Sequence, residues 1–503
     1  METLDLLFQG LASAMAFDNL LAVLIGVLLG LAVGALPALG PAAGVAILLP
    51  AIVNLDPTMA IAGLAGVYYG AMYGGAVTSI LIGVPGDSAA MMTVVDGYPM
   101  AKKGQAGRAL GMAVYASFVG GIISLVLMTF LSATVARAAL AFGPAEMTAV
   151  IVLALCLVTV LGGEDVLKGF LGLGLGLWVA MIGLDPIVGT TRFTFGSFHL
   201  LEGIEFTIVV VGMYGLGQMF AALGQEQSGK SERAKYSFKS LFPQLSDLVK
   251  CKWTLVTSSL IGFFVGILPG AGATAATVFS YAVAKKSSKT PEEFGHGAIE
   301  GVAAPEASNN AASYSAMIPL FTLGIPGSGT TAVMLGGLLM LGLEPGPRLF
   351  SQQPEFIWSL IGTFYVGNIA LVFLTLALIP VLAALVFVRI SILFPIVIAV
   401  VFFGIYSVGY SIMDVMLAAL FGLAGYVFTK LRYPMLPILL GVILGPLLER
   451  AIRRSLVISQ GDVGIFASSA ISVVVFAAAL ALVVYGVGWP LIKTMMRRRT
   501  RGA

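Results

Sequence analysis

Apolar residues run through this chain in long, unbroken blocks, beginning with residues 20–33, and short polar clusters separate each block from the next. A half-buried strand would alternate with a period of two, and a surface helix would keep one polar face; these blocks do neither. Continuous apolar runs of this length predict helices that cross a membrane, where a helix satisfies its own backbone groups. A crossing takes about 20 apolar residues, so at about 24 residues per crossing with short loops the chain has room for about 12 spans. The expected fold is therefore an all-α polytopic membrane protein, with some spans broken or re-entrant. The acidic start and the absence of any basic residue before Lys102 argue against a secretory signal, so the first block is expected to be a resident span.

Composition agrees with the pattern. Of 503 residues, 59% are hydrophobic and 10% charged, against about 25% charged in soluble domains. The mean hydropathy is +1.02. The 62 Gly and 23 Pro would break soluble helices, but a membrane bundle tolerates them. A net charge of +3 gives no reason to expect nucleic acid, and Cys156 and Cys251 cannot form a disulfide framework.

One polar segment, residues 225–252, divides the chain into halves at 1–224 and 253–503. Its Lys230, Arg233, Lys235, Lys239, Lys250 and Lys252 predict a cytoplasmic linker. The halves repeat each other in order. Val33 to Pro37 with Gly40 matches Val265 to Pro269 with Gly272 at an offset of 232, and Gly83-Val84-Pro85-Gly86 matches Gly324-Ile325-Pro326-Gly327 at 241. Phe118-Val119-Gly120 resembles Tyr365-Val366-Gly367 at 247, and Asp165, Val166, Leu171 and Gly176 match Asp414, Val415, Leu420 and Gly425 at 249. Equivalent loops carry opposite charge. Residues 54–57 have no basic residue where 285–289 have three lysines; 102–108 are basic where 343–348 hold only Arg348. That reversal predicts two inverted-topology repeats. Towards the C-terminus, Lys430, Arg432, Arg450, Arg453 and Arg454 flank an apolar piece, 435–448, that is short for a crossing. The basic tail at 497–501 reads as cytoplasmic.

Two nucleotide motifs occur by letter only. Residues 224–231 fit G-x-x-x-x-G-K-[ST], and 270–275 resemble a dinucleotide fingerprint, but neither has the strand and α/β domain that its chemistry needs. The small residues after Pro269 still leave open backbone N–H groups at a helix start, or else serve close helix packing. The sharpest features are the two Pro-Gly pairs. Pro removes a donor and Gly allows unusual dihedrals, so Pro85 and Pro326, with Pro37 and Pro269, are expected helix breaks. Gly86, Ser88, Gly327, Ser328, Thr330 and Thr331 are the expected substrate-binding groups, through backbone N–H groups and hydroxyls. A plain Pro kink with hydroxyls on freed carbonyls is the alternative. Glu306, Asn309 and Asn310, with Asp87, suit a coupling cation or proton, unless Glu306 sits in a solvated turn. Tyr68, Tyr69 and Tyr73 read as packing groups. Beyond a possible Na⁺, no metal or cofactor is expected.

These segments together resemble the large permease subunit of the bacterial tripartite tricarboxylate transporters. The stretches GALPALGPAAGVAILLP, YGAMYGGAVTSILIGVPGDSAAMMTVVDGYPMAKKGQAGRALG and GHGAIEGVAAPEASNNAASYSAMIPLFTLGIPGSGTTAVMLGGL carry the likeness. It implies a multi-pass protein of the bacterial inner membrane, working with a small membrane subunit and a periplasmic substrate-binding protein. It implies import of di- or tricarboxylates driven by a Na⁺ or H⁺ gradient, without ATP. Another small organic anion, an anion channel and an intramembrane protease are the alternatives. For a protease, Ser328 would need a base, and His199 and His296, the two histidines, lie in or near polar loops.

Overall fold

The computed structural model describes residues 2–36, 39–162, 165–185, 188–223, 238–385, 388 and 390–501. Pro37, the P-loop-like stretch 224–231 up to Lys230 and Ser231, and the linker as far as residue 237 lie outside them. The described chain is helical apart from one short antiparallel pairing, Gly183↔Arg192 and Leu184↔Thr191. Ten described helices are long and apolar enough to cross a membrane. Shorter apolar helices, Gly40–Ile52, Val166–Ala180, Gly329–Met340 and Phe394–Gly409, lie among them. The expected total of about 12 included broken spans, and these shorter pieces are apolar blocks cut by chain breaks into lengths too short to cross alone. The described portion of the linker is itself structured, since helix Leu245–Ile267 begins within it.

The apolar piece at 435–448 is longer than its composition indicates. It continues as helix Met435–Ile458, whose polar final turns are held by ion pairs. Arg453 meets Asp185 at 2.7 Å, and Arg192 meets Glu449 at 2.8 Å, which fastens the helix to the short hairpin.

Helices in lipid gain little from burying apolar faces against each other, so close approach through small residues holds them. Helix Phe17–Gly34 carries Gly26, Gly30 and Gly34, and helix Pro57–Ile82 carries Gly66, Gly70 and Gly74, each row spaced by four. A Cβ on Gly34 would stand 2.1 Å from the Ala71 carbonyl oxygen, and one on Gly74 would stand 2.5 Å from that of Leu31. The second half packs alike. A Cβ on Gly262 would lie 2.3 Å from the Ser308 oxygen, and one on Gly266 would lie 2.6 Å from Ala312 Cα. These contacts press helix Leu245–Ile267 onto helix Ile299–Ser315, which is buried on every face.

Both Pro-Gly segments interrupt helices in the same way. Helix Pro57–Ile82 stops at Gly83, with φ 72° and ψ 19°, and helix Met317–Leu323 stops at Gly324, with φ 70° and ψ 21°. This left-handed geometry strains any other residue. The chain restarts as helices Met91–Lys102 and Gly329–Met340. Polar segments from both halves meet. Arg108 donates two hydrogen bonds to Asp247, at 2.6 and 2.8 Å, Lys103 Nζ donates to the His296 carbonyl, and Lys250 pairs with Glu293 at 3.0 Å.

Two measurements check this architecture. Gly30→Ala should cost about 1–3 kcal/mol of stability by overpacking, because its Cβ would lie 2.4 Å from the Val67 oxygen. Gly174→Ala, with open space around it, should be neutral or slightly stabilising in the same detergent melt. In a background lacking Cys156 and Cys251, exposed Lys102→Cys and Ser287→Cys should both resist a membrane-impermeant maleimide applied outside intact cells; fast labelling of either places that loop outside.

Candidate functional site

Four chain restarts converge on one cavity of about 1020 Å³. They are the first turns of helices Gly40–Leu48, Met91–Lys102, Gly272–Ser287 and Gly329–Met340 with the residues just before them. A helix start leaves backbone N–H groups without intrahelical partners and carries partial positive charge. Gly270, at φ 84°, turns the chain into the third of these helices.

The walls are tied to one another, once across the two halves and once within the second. Ser88 Oγ and Thr274 Oγ1 are 2.8 Å apart, and Gly270 N donates to the Gly327 carbonyl at 3.2 Å. Asp87 Oδ1 accepts from Ala90 N at 2.9 Å and so closes the turn before helix Met91–Lys102. Ser328 caps helix Gly329–Met340: its N–H donates to Thr331 Oγ1 at 2.8 Å, and Thr331 N donates to Ser328 Oγ at 3.3 Å. Thr331 is thus spent on the cap and does not line the cavity, whereas Thr330 does. Pro85, Gly86, Asp87, Ser88, Gly327 and Ser328 also line it. Pro269 and Pro326 stand one residue before the lining groups Gly270 and Gly327.

Gly86 and Gly327 have a second duty. A Cβ on Gly86 would lie 2.5 Å from Gly75 Cα and 2.8 Å from the Gly34 oxygen; one on Gly327 would lie 3.1 Å from the Gly266 oxygen and 3.2 Å from Ala316 Cβ. Each loop therefore needs glycine to rest on the helix pair behind it, quite apart from any ligand. Among the described lining residues there is no Lys, Arg or His, and Asp87 is the one charged side chain. An anion held here would be met by N–H groups, hydroxyls and helix dipoles.

Glu306, Asn309 and Asn310 are not in the cavity wall. They lie behind it in helix Ile299–Ser315, fully buried, so Glu306 is not in a solvated turn. Thr93 Oγ1 donates to Glu306 Oε1 at 2.5 Å and Ser117 Oγ to Oε2 at 3.1 Å. Among the described residues no basic group is within ion-pair distance of Glu306 or Asp87.

Other contributors are not evident from sequence. Tyr68, expected to be a packing group, lines the cavity, while Tyr69 stacks on Tyr314 and Tyr73 donates to Asn368 Oδ1. Tyr214 and Gln218 also line it, with Tyr214 on a π-helical turn, Val211–Leu216, a distortion frequent at functional sites. Asp96 anchors helix Met91–Lys102 farther along. Its Oδ1 accepts from the N–H groups of Gly295, Gly297 and Ala298, all at 2.8 Å, and its Oδ2 accepts from the Tyr281 hydroxyl at 2.7 Å.

The model of the tripartite tricarboxylate transporter TctA family matches residues 20–440. The chain belongs to the TctA family. It is therefore the large membrane subunit of a tripartite transporter, not an enzyme. A protein from Agrobacterium vitis described as an uncharacterized 52.8 kDa protein in the TAR-I ttuC' 3' region is 38% identical over 484 residues, 96% of each chain. A second from the same organism, an uncharacterized protein in the TAR-II ttuC' 3' region, is 40% identical over 223 residues, 44% of this chain and 92% of that one. No solved structure matches. In this TctA protein the Asp96 cluster sets an expectation for stability. Tyr281→Phe removes one hydrogen bond and should cost about 1.5–3 kcal/mol, whereas Asp96→Ala also strands one buried and two part-buried N–H groups and should cost more, with lower recovery of folded protein. Recovery and melting temperature after solubilisation check both.

Proposed function

We propose that this TctA subunit carries di- or tricarboxylates across the bacterial inner membrane, driven by a Na⁺ or H⁺ gradient rather than ATP. A periplasmic binding protein delivers the substrate, and a small membrane subunit completes the assembly. The observation that carries the reading is the convergence of four helix starts on a cavity whose described walls hold no basic side chain. Each hydrogen bond to a charged group contributes about 1.5–3 kcal/mol, and each helix start adds about 0.3–1 kcal/mol or more. A few such contacts together support binding without an ion pair. The volume is ample for a small polycarboxylate with some of its water. Substrate carboxylates would lie against the N–H groups at Gly86 and Gly327 and the hydroxyls of Ser88, Ser328 and Thr330. Thr331 acts there through Ser328.

Alternating access would come from two inverted repeats. The paired sequence offsets and the reversed loop charges support this, and so do the matched backbone angles at Gly83 and Gly324. The rest of Gly86 on Gly34, and of Gly327 on Gly266, repeats the same offsets in three dimensions. Broken helices in equivalent places of two inverted halves are the usual setting of a midplane substrate site.

Vesicles holding the assembled system should concentrate a di- or tricarboxylate under an imposed ion gradient with no ATP present. Thr330→Val should raise the half-saturating substrate concentration about 10–100-fold, the equivalent of one lost charge-assisted hydrogen bond, with normal insertion. Uptake that is passive, or that needs ATP, overturns the reading.

A further inference from the structure

Buried polar atoms without a hydrogen-bond partner gather on one helix. On Ile299–Ser315 these are Ser308 Oγ, both side-chain polar atoms of Asn309, Asn310 Oδ1 and the Tyr314 hydroxyl; the Tyr69 hydroxyl on the facing helix is another. Each such group costs about 1–3 kcal/mol if nothing meets it, so a cluster of them calls for a missing partner.

Position within the helix sorts them. Glu306, Asn310 and Tyr314 are four apart and share one face. Against it lie Tyr69, whose ring centroid is 3.9 Å from that of Tyr314, and Tyr73, which is within electrostatic range of both Glu306 and Tyr314. Asn310 Nδ2 donates to the Glu306 carbonyl at 3.2 Å, which leaves Oδ1 as a free acceptor. Asn309 is about 100° round the helix from Asn310 and borders this face beside Glu306, on the side away from Tyr314. Among the described residues the Glu306 carboxyl meets two hydroxyls, and Asp87 adds a second acid within electrostatic range. Neutral oxygens without donors, beside two acids with no basic partner among the described residues, are the environment of a hard cation in a membrane interior. The close ring packing admits only a small one stripped of most of its water.

We propose that Na⁺ binds on this face, with Asn310 Oδ1 and the Tyr69 and Tyr314 hydroxyl oxygens as neutral ligands and Glu306 as the balancing charge. The site rests on the transport reading and deepens it by naming the coupling ion. It excludes Asn309 and Asp87 as ligands. Occupancy reaches the cavity through one rigid element, because Thr93, which bonds Glu306, stands on the helix whose first turn follows Asp87 and Ser88.

The test is thermal unfolding of the purified full-length protein, without carboxylate, in Na⁺, K⁺ or choline salts at equal ionic strength. Wild type should show a saturable upward shift specific to Na⁺. Asn310→Ala should abolish that shift, and Asn309→Ala should keep it. Should Asn310→Ala fail to fold, the milder Tyr69→Phe and Tyr314→Phe variants should each raise the half-saturating Na⁺ concentration about ten-fold or more. No Na⁺-specific shift in wild type, or an unchanged shift in Asn310→Ala or in both Phe variants, overturns the site. Carboxylate uptake that persists in Na⁺-free vesicles under a proton gradient overturns it too, while leaving the importer reading intact.

Discussion

A backbone N–H group left without a partner inside a membrane is the constraint on which the rest of this molecule turns. A continuous helix avoids the problem, and most of the chain does so. Four segments do not: they stop within the bundle and restart, and the first turns of the restarts, where N–H groups have no intrahelical partner, line the same cavity. Caps meet some of those donors, as Ser328 does for Thr331 N, and water or a ligand must meet the rest. The same geometry that makes a break expensive in lipid makes it useful for an anion, because dipoles and N–H groups are held ready with no basic side chain to neutralise.

Holding four breaks in register demands rigid backing, and glycine supplies it. The Gly26-Gly30-Gly34 row lets helix Phe17–Gly34 press on helix Pro57–Ile82, and the Gly86 loop then rests on the carbonyl at the end of that row. Gly262 and Gly266 serve the Gly327 loop in the same way. Polar bonds add direction. Asp96 pins helix Met91–Lys102 to the segment 295–298, and Ser88 meets Thr274 across the cavity. Small residues set the distance between helices, and these few polar groups set which end of each helix faces the cavity.

What is legible in the sequence is whatever has local chemistry. Continuous apolar blocks give membrane helices, and Pro-Gly pairs give breaks, because both follow from a few adjacent residues. Pairings over long sequence distances leave no such trace. Thr93 and Glu306 are 213 residues apart, and Asp96 and Tyr281 are 185 apart. Nothing in the neighbourhood of either marks a partner. Tyr68, Tyr69 and Tyr73 look alike in sequence, yet one lines the cavity, one stacks on Tyr314 and one bonds Asn368, according to the helix face each occupies. Helix Met435–Ile458 looks short in sequence because its last turns are polar; ion pairs with the 183–192 hairpin account for them.

Charge balance links the cavity to the buried helix behind it. On the proposed function, a polycarboxylate enters a site where Asp87 is the one acid among the described lining residues and no basic group faces it. Glu306 adds a second acid within electrostatic range. Dipoles and hydroxyls orient an anion, but they do not cancel its full charge, and in a low-dielectric interior the remainder is costly. A cation taken up on the Glu306 side lowers that remainder and acts on the wall through helix Met91–Lys102, which touches both places. An empty cation site leaves the cavity facing two uncompensated acids, which disfavours the anion. A filled one without substrate leaves the open helix starts with only water. Each occupant thus improves the environment of the other, and by linkage the effect is reciprocal. Coupling of this kind needs no moving gate to explain it; it follows from placing a site built of neutral groups for an anion next to acids with no basic partner.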